Sequence, residues 1–355
     1  MITLKSAHEI ELMRRAGKIT AAARALAGEM VKPGVTTQEI DRAVEHFIRK
    51  QGAVPSFLHF PGPPGVRAFP GSVCASVNDE IIHGIPGPRV LQEGDIVSID
   101  VGAYIGGYHG DCAATFPCGK VSPEAQNLID VTRQSFFEGI KFAKEGCRLY
   151  DISAAIQGYV ESHGCSIVRE YVGHGIGTEM HESPEIPNYG HPGRGPRLLR
   201  GMTIAVEPMV NAGTAAIRQM PDGWTVRTAD GKLAAHYENT LLITDGEPEI
   251  LTAPAIWGKT YMEIAKSDIV RSDAGRDQGK LFIVLAVEGE YLLLADGKGR
   301  KAESPKRKKR KHVLFVAEDD SRLADKIKRS EKITNSELRR TLAAYRGEVQ
   351  PDQEG

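Results

Sequence analysis

Apolar residues recur at helical spacing in two separate pairs of stretches, and at strand spacing after each pair. Ser6 and Glu9 have the spacing of a capping box, in which each side chain satisfies a free backbone N–H of the other, and they predict a helix to about Met30. Thr36 and Glu39 predict a second helix, stopped by Gly52. Ser122-Pro123 opens a third that ends near Gly146, because a proline in the first turn forgoes no helical hydrogen bond. Asp151 opens a fourth, stopped by Gly164. Strands are predicted at 72–77, 95–104, 111–117, 202–210, 224–229 and 237–244. This order describes an α+β unit whose helices cover one face of a mainly antiparallel sheet.

The two pairs are copies of each other. Residues 31–52 (VKPGVTTQEIDRAVEHFIRKQG) lie over 143–164 (AKEGCRLYDISAAIQGYVESHG) without a gap. Lys32, Gly34, Ile40, Ala43 and Gly52 match Lys144, Gly146, Ile152, Ala155 and Gly164. A His-Gly-Ile follows in each half, at His83 and at His174. Residues 93–100 then lie over 200–207, which sets Asp100 on Glu207, and Asp111 pairs in order with Glu238. Two such halves around a pseudo-twofold would bring four carboxylates to one axis.

Four unpaired carboxylates in one place repel, and a buried charge without a partner is costly. A single Asp or Glu is ordinarily a turn cap or a solvent-facing residue. The apolar flanks Val97-Ser98-Ile99 before Asp100 and Ile204-Ala205-Val206 before Glu207 argue for something else. Oxygen ligands with one imidazole, His174, suit Co, Mn, Fe or Zn, and the set is large enough for two divalent ions. Paired ions about 3.5–4 Å apart can activate a shared water. The candidate metal centre is therefore Asp100, Asp111, His174, Glu207 and Glu238.

Composition narrows the setting. A length of 355 residues allows two domains or more. No apolar run approaches the ~20 residues of a membrane span, and MITLKSAHEIELM lacks the basic start and apolar core of a secretory signal. Five cysteines without a CxxC fit a reduced, cytoplasmic compartment. The formal charge of −1 hides an asymmetry: residues 263–355 hold 21 Lys and Arg against 17 Asp and Glu, and the residues before them 24 against 29. The run Lys306-Arg307-Lys308-Lys309-Arg310-Lys311 supplies most of that excess.

Residues 1–252 resemble the type I methionine aminopeptidases, of the pita-bread metallopeptidase family. The matching segments are SVCASVNDEIIHGIP, DIVSIDVGAYIGGYHGDCAATF, YVGHGIGTEMHE, GMTIAVEPM, DGWTVRT and HYENTLLIT. The resemblance implies a duplicated fold, an antiparallel sheet covered by two helix pairs. It implies that Asp111 and Glu238 bridge two metals, that Asp100 binds one, and that His174 and Glu207 bind the other. It gives His181 the oxyanion contact and His83 a contact with the substrate backbone, with Glu207 passing a proton to the leaving amine. Cys74, Phe69 and Trp224 fall on positions of the methionine pocket, and Met180 stands where relatives often carry an aromatic. The implied substrates are nascent polypeptide N-termini with a small second residue. Glycines 173, 175 and 177 would let backbone come close to metal and substrate. A proline-specific peptidase of the same fold is the alternative, but it would carry a large N-terminal domain ahead of the first capping box.

After a connector at 253–262, residues 263–355 form a second, smaller unit. Strands are predicted at 268–272, 280–287 and 291–295, with a hairpin turn at Glu288-Gly289-Glu290. From Glu318 the chain is helical, with Asn335 as a cap, and the final VQPDQEG is disordered. Residues 269–280 resemble a KOW motif, and LLADGKGRKAESPKRKKRKHVLF extends the likeness to KOW proteins of the large ribosomal subunit. That resemblance implies a small all-β, SH3-like barrel that binds ribosomal RNA, with Lys306 to Lys311 on phosphates. The expected protein is a monomer that meets the ribosome and no membrane. A ribosome-binding factor with a vestigial peptidase is the other reading.

Overall fold

The structure, a computed structural model, describes residues 2–253, 264–272, 275–277, 279–317, 319 and 321–346. The chain divides into two compact units, 1–253 and 254–355. Of the connector at 253–262 all but residue 253 lies outside the described residues, as does the tail from residue 347, VQPDQEG included.

In the first unit both capping boxes form. Glu9 and Glu39 accept from the backbone N–H of Ser6 and Thr36, each at 2.7 Å, at the starts of α1 (Ala7–Met30) and α2 (Thr37–Lys50). After the short β1 (Val54–Pro55) come β2 (Val73–Val77), β3 (Glu80–Ile82), β4 (Ile96–Ile105) and β5 (Tyr108–Pro117). The second half begins with α3 (Pro123–Ile140) and α4 (Leu149–Ser162). α3 stops short of Gly146, because Phe142 and Ala143 donate back to Gly139 and Ile140, three residues away, and tighten the last turn. Asp151 does not open α4. It is the third helical residue, and its carboxylate accepts from the backbone N–H of Arg148, the true cap, at 2.7 Å.

The duplication is visible in the backbone. Gly34 and Gly146 have φ of 91° and 89°, and Gly52 and Gly164 have 73° and 74°. Gly34 N–H donates to the Leu91 carbonyl at 2.9 Å as Gly146 N–H does to Leu198 at 3.0 Å.

The strands after α4 are β6 (Ser166–Ile167), β7 (Gly173–Gly175), β8 (Glu182–Ile186), β9 (Thr203–Val206), β10 (Met209–Asn211), β11 (Ile217–Gln219), β12 (Val226–Thr228), β13 (Ala234–His236), β14 (Asn239–Leu242) and β15 (Glu249–Ile250). Two predicted strands are in fact broken. Residues 202–210 divide into β9 and β10 at Glu207-Pro208, where proline has no N–H for the ladder, and 237–244 shortens to β14 beyond Glu238. The expected single sheet is several antiparallel ladders. β4 pairs with β1, β2 and β5, and a second ladder runs β15-β14-β9-β7-β8. The β2–β5 ladder packs under α1 and α2 around Val44, Ile48, Val97 and Ile99. The second half packs around Phe136, Ile152, Ile204 and Leu241. Among the described residues no helix is long and apolar enough to cross a membrane.

The second unit has five antiparallel strands, β16 (Ile269–Ser272), β17 (Leu281–Glu288), β18 (Tyr291–Ala295), β19 (Lys306–Lys309) and β20 (Val313–Ala317), in the order β19-β18-β17-β16-β20. The sheet is not closed: no β19–β20 pairing stands among the described residues. One of its apolar clusters includes Val270, Phe282, Val284 and Leu292. Another joins Ile269, Leu281 and Ile283 to α5 (Arg322–Lys328) and α6 (Asn335–Arg346). Thr334, not Asn335, caps α6: Thr334 N–H donates to Glu337 at 2.8 Å, and its hydroxyl accepts from Glu337 N–H at 3.3 Å. The Asn335 amide instead accepts from Ala302 N–H at 2.8 Å.

Candidate metal centre

Each half contributes two acids from neighbouring strands. Asp100 on β4 faces Cys74 on one side and Ala113 on the other, and Asp111 on β5 lies opposite Gly102. Glu207 directly follows β9 and Glu238 directly precedes β14, and the Val206–Asn239 pairing sets the two side by side. The ladder breaks therefore coincide with the acids. Asp111, Glu238 and His174 offer ligand atoms within 4.8 Å of one another, and so do Glu207, Glu238 and His236.

His174 lies on β7, where its neighbours Gly173 and Gly175 are required by the ladder. A Cβ on Gly173 would meet the Ala205 carbonyl, and one on Gly175 the Ser183 carbonyl. Close approach between strands is thus one reason for glycine at 173 and 175. The His174 Nδ1 lies 2.8 Å from the Gly175 carbonyl. A carbonyl only accepts, so Nδ1 carries the proton and Nε2 presents its lone pair to the acids. That Nε2 is 3.7 Å from Asp111 Oδ2 and 3.6 Å from Glu207 Oε1. Burial holds His174 down to about 3, which keeps it in the neutral, ligating form.

Burial also pushes all four carboxyls up, Asp100 to about 7 and Glu207 to about 8, with mutual repulsion adding at Asp111 and Glu238. Among the described residues no Lys or Arg forms an ion pair with any of the four. Asp100 Oδ1, Asp111 Oδ1, Glu238 Oε1 and His236 Nε2 are buried without a hydrogen-bond partner. Orphaned acceptors of this number converging on one place fit divalent cations, which would supply the missing positive charge.

His236 was not found from the sequence. Its Nε2 lies 3.6 Å from Glu207 Oε2 and 4.0 Å from Glu238 Oε2. Thr115 clamps its backbone, accepting from His236 N–H and donating to its carbonyl, both at 2.9 Å. Its place two residues before Glu238, on the same face of an extended segment, is the signal that was available.

Beside the acids lies an aromatic cluster. The His181 ring is 4.4 Å from His174 and 5.4 Å from Phe60. His83, held down to about 4 by burial and by the neighbouring imidazoles His236 and His181, packs against Tyr171 at 5.6 Å and Trp224 at 6.3 Å. Phe69 meets Trp224 edge-on at 5.2 Å. The loop 61–70 is tied at its base, where His59 and Phe69 N–H groups donate to Phe69 and Phe60 carbonyls at 2.8 and 2.9 Å. The Trp224 indole N–H donates to Arg67 in that loop at 2.8 Å. Cys74 is buried next to Asp100, and Met180 is buried beside His181. Tyr171 was missed by the sequence reading, since nothing separates it from an ordinary loop tyrosine.

The basic run of the second unit forms β19 and its sequel. Lys306 pairs with the buried Asp277 at 2.7 Å and Lys308 donates to Ser272 at 2.7 Å. Arg307 stacks over the Tyr291 ring at 3.5 Å, with Lys309 5.8 Å from the same ring.

The model of metallopeptidase family M24 matches residues 11–245. The chain is similar to the methionine aminopeptidase of Clostridium perfringens, 55% identical over 252 residues that cover 71% of this chain and 99% of that protein. It is similar to methionine aminopeptidase 1 of Bacillus subtilis, 51% identical over 252 residues, 71% of this chain and 99% of that protein. Among solved structures, the methionine aminopeptidase of Thermotoga maritima superposes with a TM-score of 0.68 at 44% identity, covering 71% of this chain and 99% of that one. With its acids, its neutral histidine and its aromatic cluster in this arrangement, the chain belongs to the methionine aminopeptidases of metallopeptidase family M24.

Proposed function

We propose that the chain removes the N-terminal methionine of newly made polypeptides by hydrolysing the first peptide bond, with a preference for a small second residue. The observation that carries this reading is the set of unpartnered buried acids beside an aromatic cluster, in a chain 55% identical to a methionine aminopeptidase. Asp100, Asp111, His174, Glu207 and Glu238 would hold two divalent ions, Co, Mn, Fe or Zn. When bound, such ions polarise a carbonyl and lower the pKa of water. His181 hydrogen-bonds the scissile carbonyl as negative charge develops on it. His83 contacts the substrate backbone, and Glu207 passes a proton to the leaving amine. Phe69, Trp224, Cys74 and Met180 line the space for the methionine side chain, where sulfur meets aromatic edges. Hydrolysis of Met-Ala-Ser by the chelated and metal-restored protein tests this: turnover that returns with metal is expected, and metal-saturated protein without turnover would overturn it.

The peptidase occupies 1–252 and is joined through 253–262 to a KOW-type, SH3-like module at 263–355 that binds ribosomal RNA in the cytoplasm. Support comes from five antiparallel strands and from β19, an edge strand of four consecutive cations. Arg307 over Tyr291 is a preorganised cation of the kind that meets phosphate. The protein acts as a monomer. Ribosome co-sedimentation of the full-length protein, with and without substitutions in 306–311, decides the point.

A further inference from the structure

The N-terminal segment is tied into the second half before the first helix begins. Ile2 packs against the core of that half, and Lys5 N–H donates to the Gly201 carbonyl at 2.8 Å. The Lys5 ammonium is buried, its side chain 4% exposed, and it reaches Glu182 Oε2 at 2.5 Å and Thr3 Oγ1 at 2.5 Å. Thr3 donates to the same Glu182 oxygen at 2.8 Å. The other Glu182 oxygen accepts from the Thr178 hydroxyl at 3.5 Å and from Glu179 N–H at 3.4 Å.

Glu182 is thus the hub of the turn 177–182, and His181 is its immediate neighbour. Gly177 N–H closes the turn on the Glu179 carbonyl at 3.1 Å, and His109 N–H donates to Gly177 at 2.9 Å. A Cβ on Gly177 would lie 2.6 Å from Lys5 Nζ, so the ion pair fills the space under the turn. Burial pushes the Glu182 carboxyl up, but the Lys5 and Thr3 hydrogen bonds outweigh it and hold the group below its usual range, ionised.

We infer that Lys5 is a positioning residue: it straps the turn 177–182 through Glu182 and so fixes where His181 stands beside the metal centre. The inference rests on the role proposed for His181. A buried cation facing one carboxylate cannot be removed without leaving that carboxylate uncompensated, so the turn must shift when Lys5 is lost. A displacement of about 1 Å in a catalytic group can lower turnover by about a hundredfold.

A mutant cycle on metal-loaded, full-length protein tests it, with Met-Ala-Ser as substrate. Lys5→Met should lower kcat about ten- to a hundredfold with KM nearly unchanged and metal content intact. Amide hydrogen exchange should quicken in 177–182 and not in the strands bearing Asp100 and Asp111. In a His181→Ala background Lys5→Met should add no further loss, because residues acting through one group are not additive. Glu182→Gln, which keeps size and removes charge, should behave like Lys5→Met and carries the test if that variant does not fold. Losses that multiply in the double variant, or unchanged kcat and exchange in both Lys5→Met and Glu182→Gln, overturn the strap. Full kcat in His181→Ala alone overturns the role of His181, and the strap's part in catalysis with it.

Discussion

Ala113 and Glu238, one from each half, exchange two backbone hydrogen bonds, Ala113 N–H to the Glu238 carbonyl at 3.3 Å and Glu238 N–H to the Ala113 carbonyl at 2.9 Å. The buried Arg24 guanidinium donates to the same two carbonyls at 3.0 and 2.8 Å. The seam between the halves therefore passes through a residue of the candidate metal centre, and a cation from α1 closes it. Arg24→Met should cost about 1–3 kcal/mol in chemical denaturation, the range for unmade buried hydrogen bonds. Unchanged stability would mean the seam does not depend on Arg24.

Asp111→Asn keeps size and removes one acid of the set. Metal affinity should fall at least ~10-fold and turnover with it, since even supporting partners of a metal site have that effect. Metal titration and peptide hydrolysis measure both, and normal values in each would exclude Asp111 as a bridging ligand.

His181→Ala should lower kcat ~10²–10³-fold, the range for a lost oxyanion donor. Bound metal, read by elemental analysis, should stay near its normal amount, because His181 is proposed as a donor and not a ligand. Loss of metal in this variant would reverse that assignment.

Chelation should make stability depend on pH through the acids. Burial raises the folded-state Glu207 carboxyl from 4.5 to about 8 and Asp100 from 3.8 to about 7. The folded protein then holds protons that the unfolded chain has released, so this contribution to stability declines as pH rises between those values. The thermal midpoint of chelated protein should drop from pH 5 to pH 8, and drop less in Glu207→Gln. Identical pH profiles for the two proteins would contradict it.

Arg307→Gln with Lys309→Gln removes the two cations beside Tyr291 and spares the Lys306–Asp277 pair. RNA binding by the full-length protein should weaken, and its salt dependence should flatten by roughly one unit per lost phosphate contact. An unaltered slope would leave β19 as a solvated edge.

Much of this was legible in the sequence because it repeats. Asp100 and Glu207 could be superposed by eye, and both N-terminal capping boxes formed where the Ser6–Glu9 and Thr36–Glu39 spacings set them. Boundaries failed where one local signal had two meanings. Asp151 fits a cap as well as the third helical position, and Asn335 follows a threonine that caps better placed than itself. Apolar runs through Glu207-Pro208 read as continuous strand because hydrophobicity does not register a missing ladder bond. Lys5 and Glu182 stand 177 positions apart. No periodicity connects them, so the strap appears only once the chain is folded.

The placing of the acids on both sides of the seam has a thermodynamic consequence. Asp100 and Asp111 lie in one half and His174, Glu207 and Glu238 in the other, so a cation held by all five would bind the docked halves more tightly than the parted ones. Mass action then converts occupancy into cohesion, by an increment that grows with free ion concentration as RT ln(1 + [L]/Kd). Starving the protein of metal would loosen the joint as well as silence the chemistry, and a protease that enters between the halves would report the cell's supply of that ion.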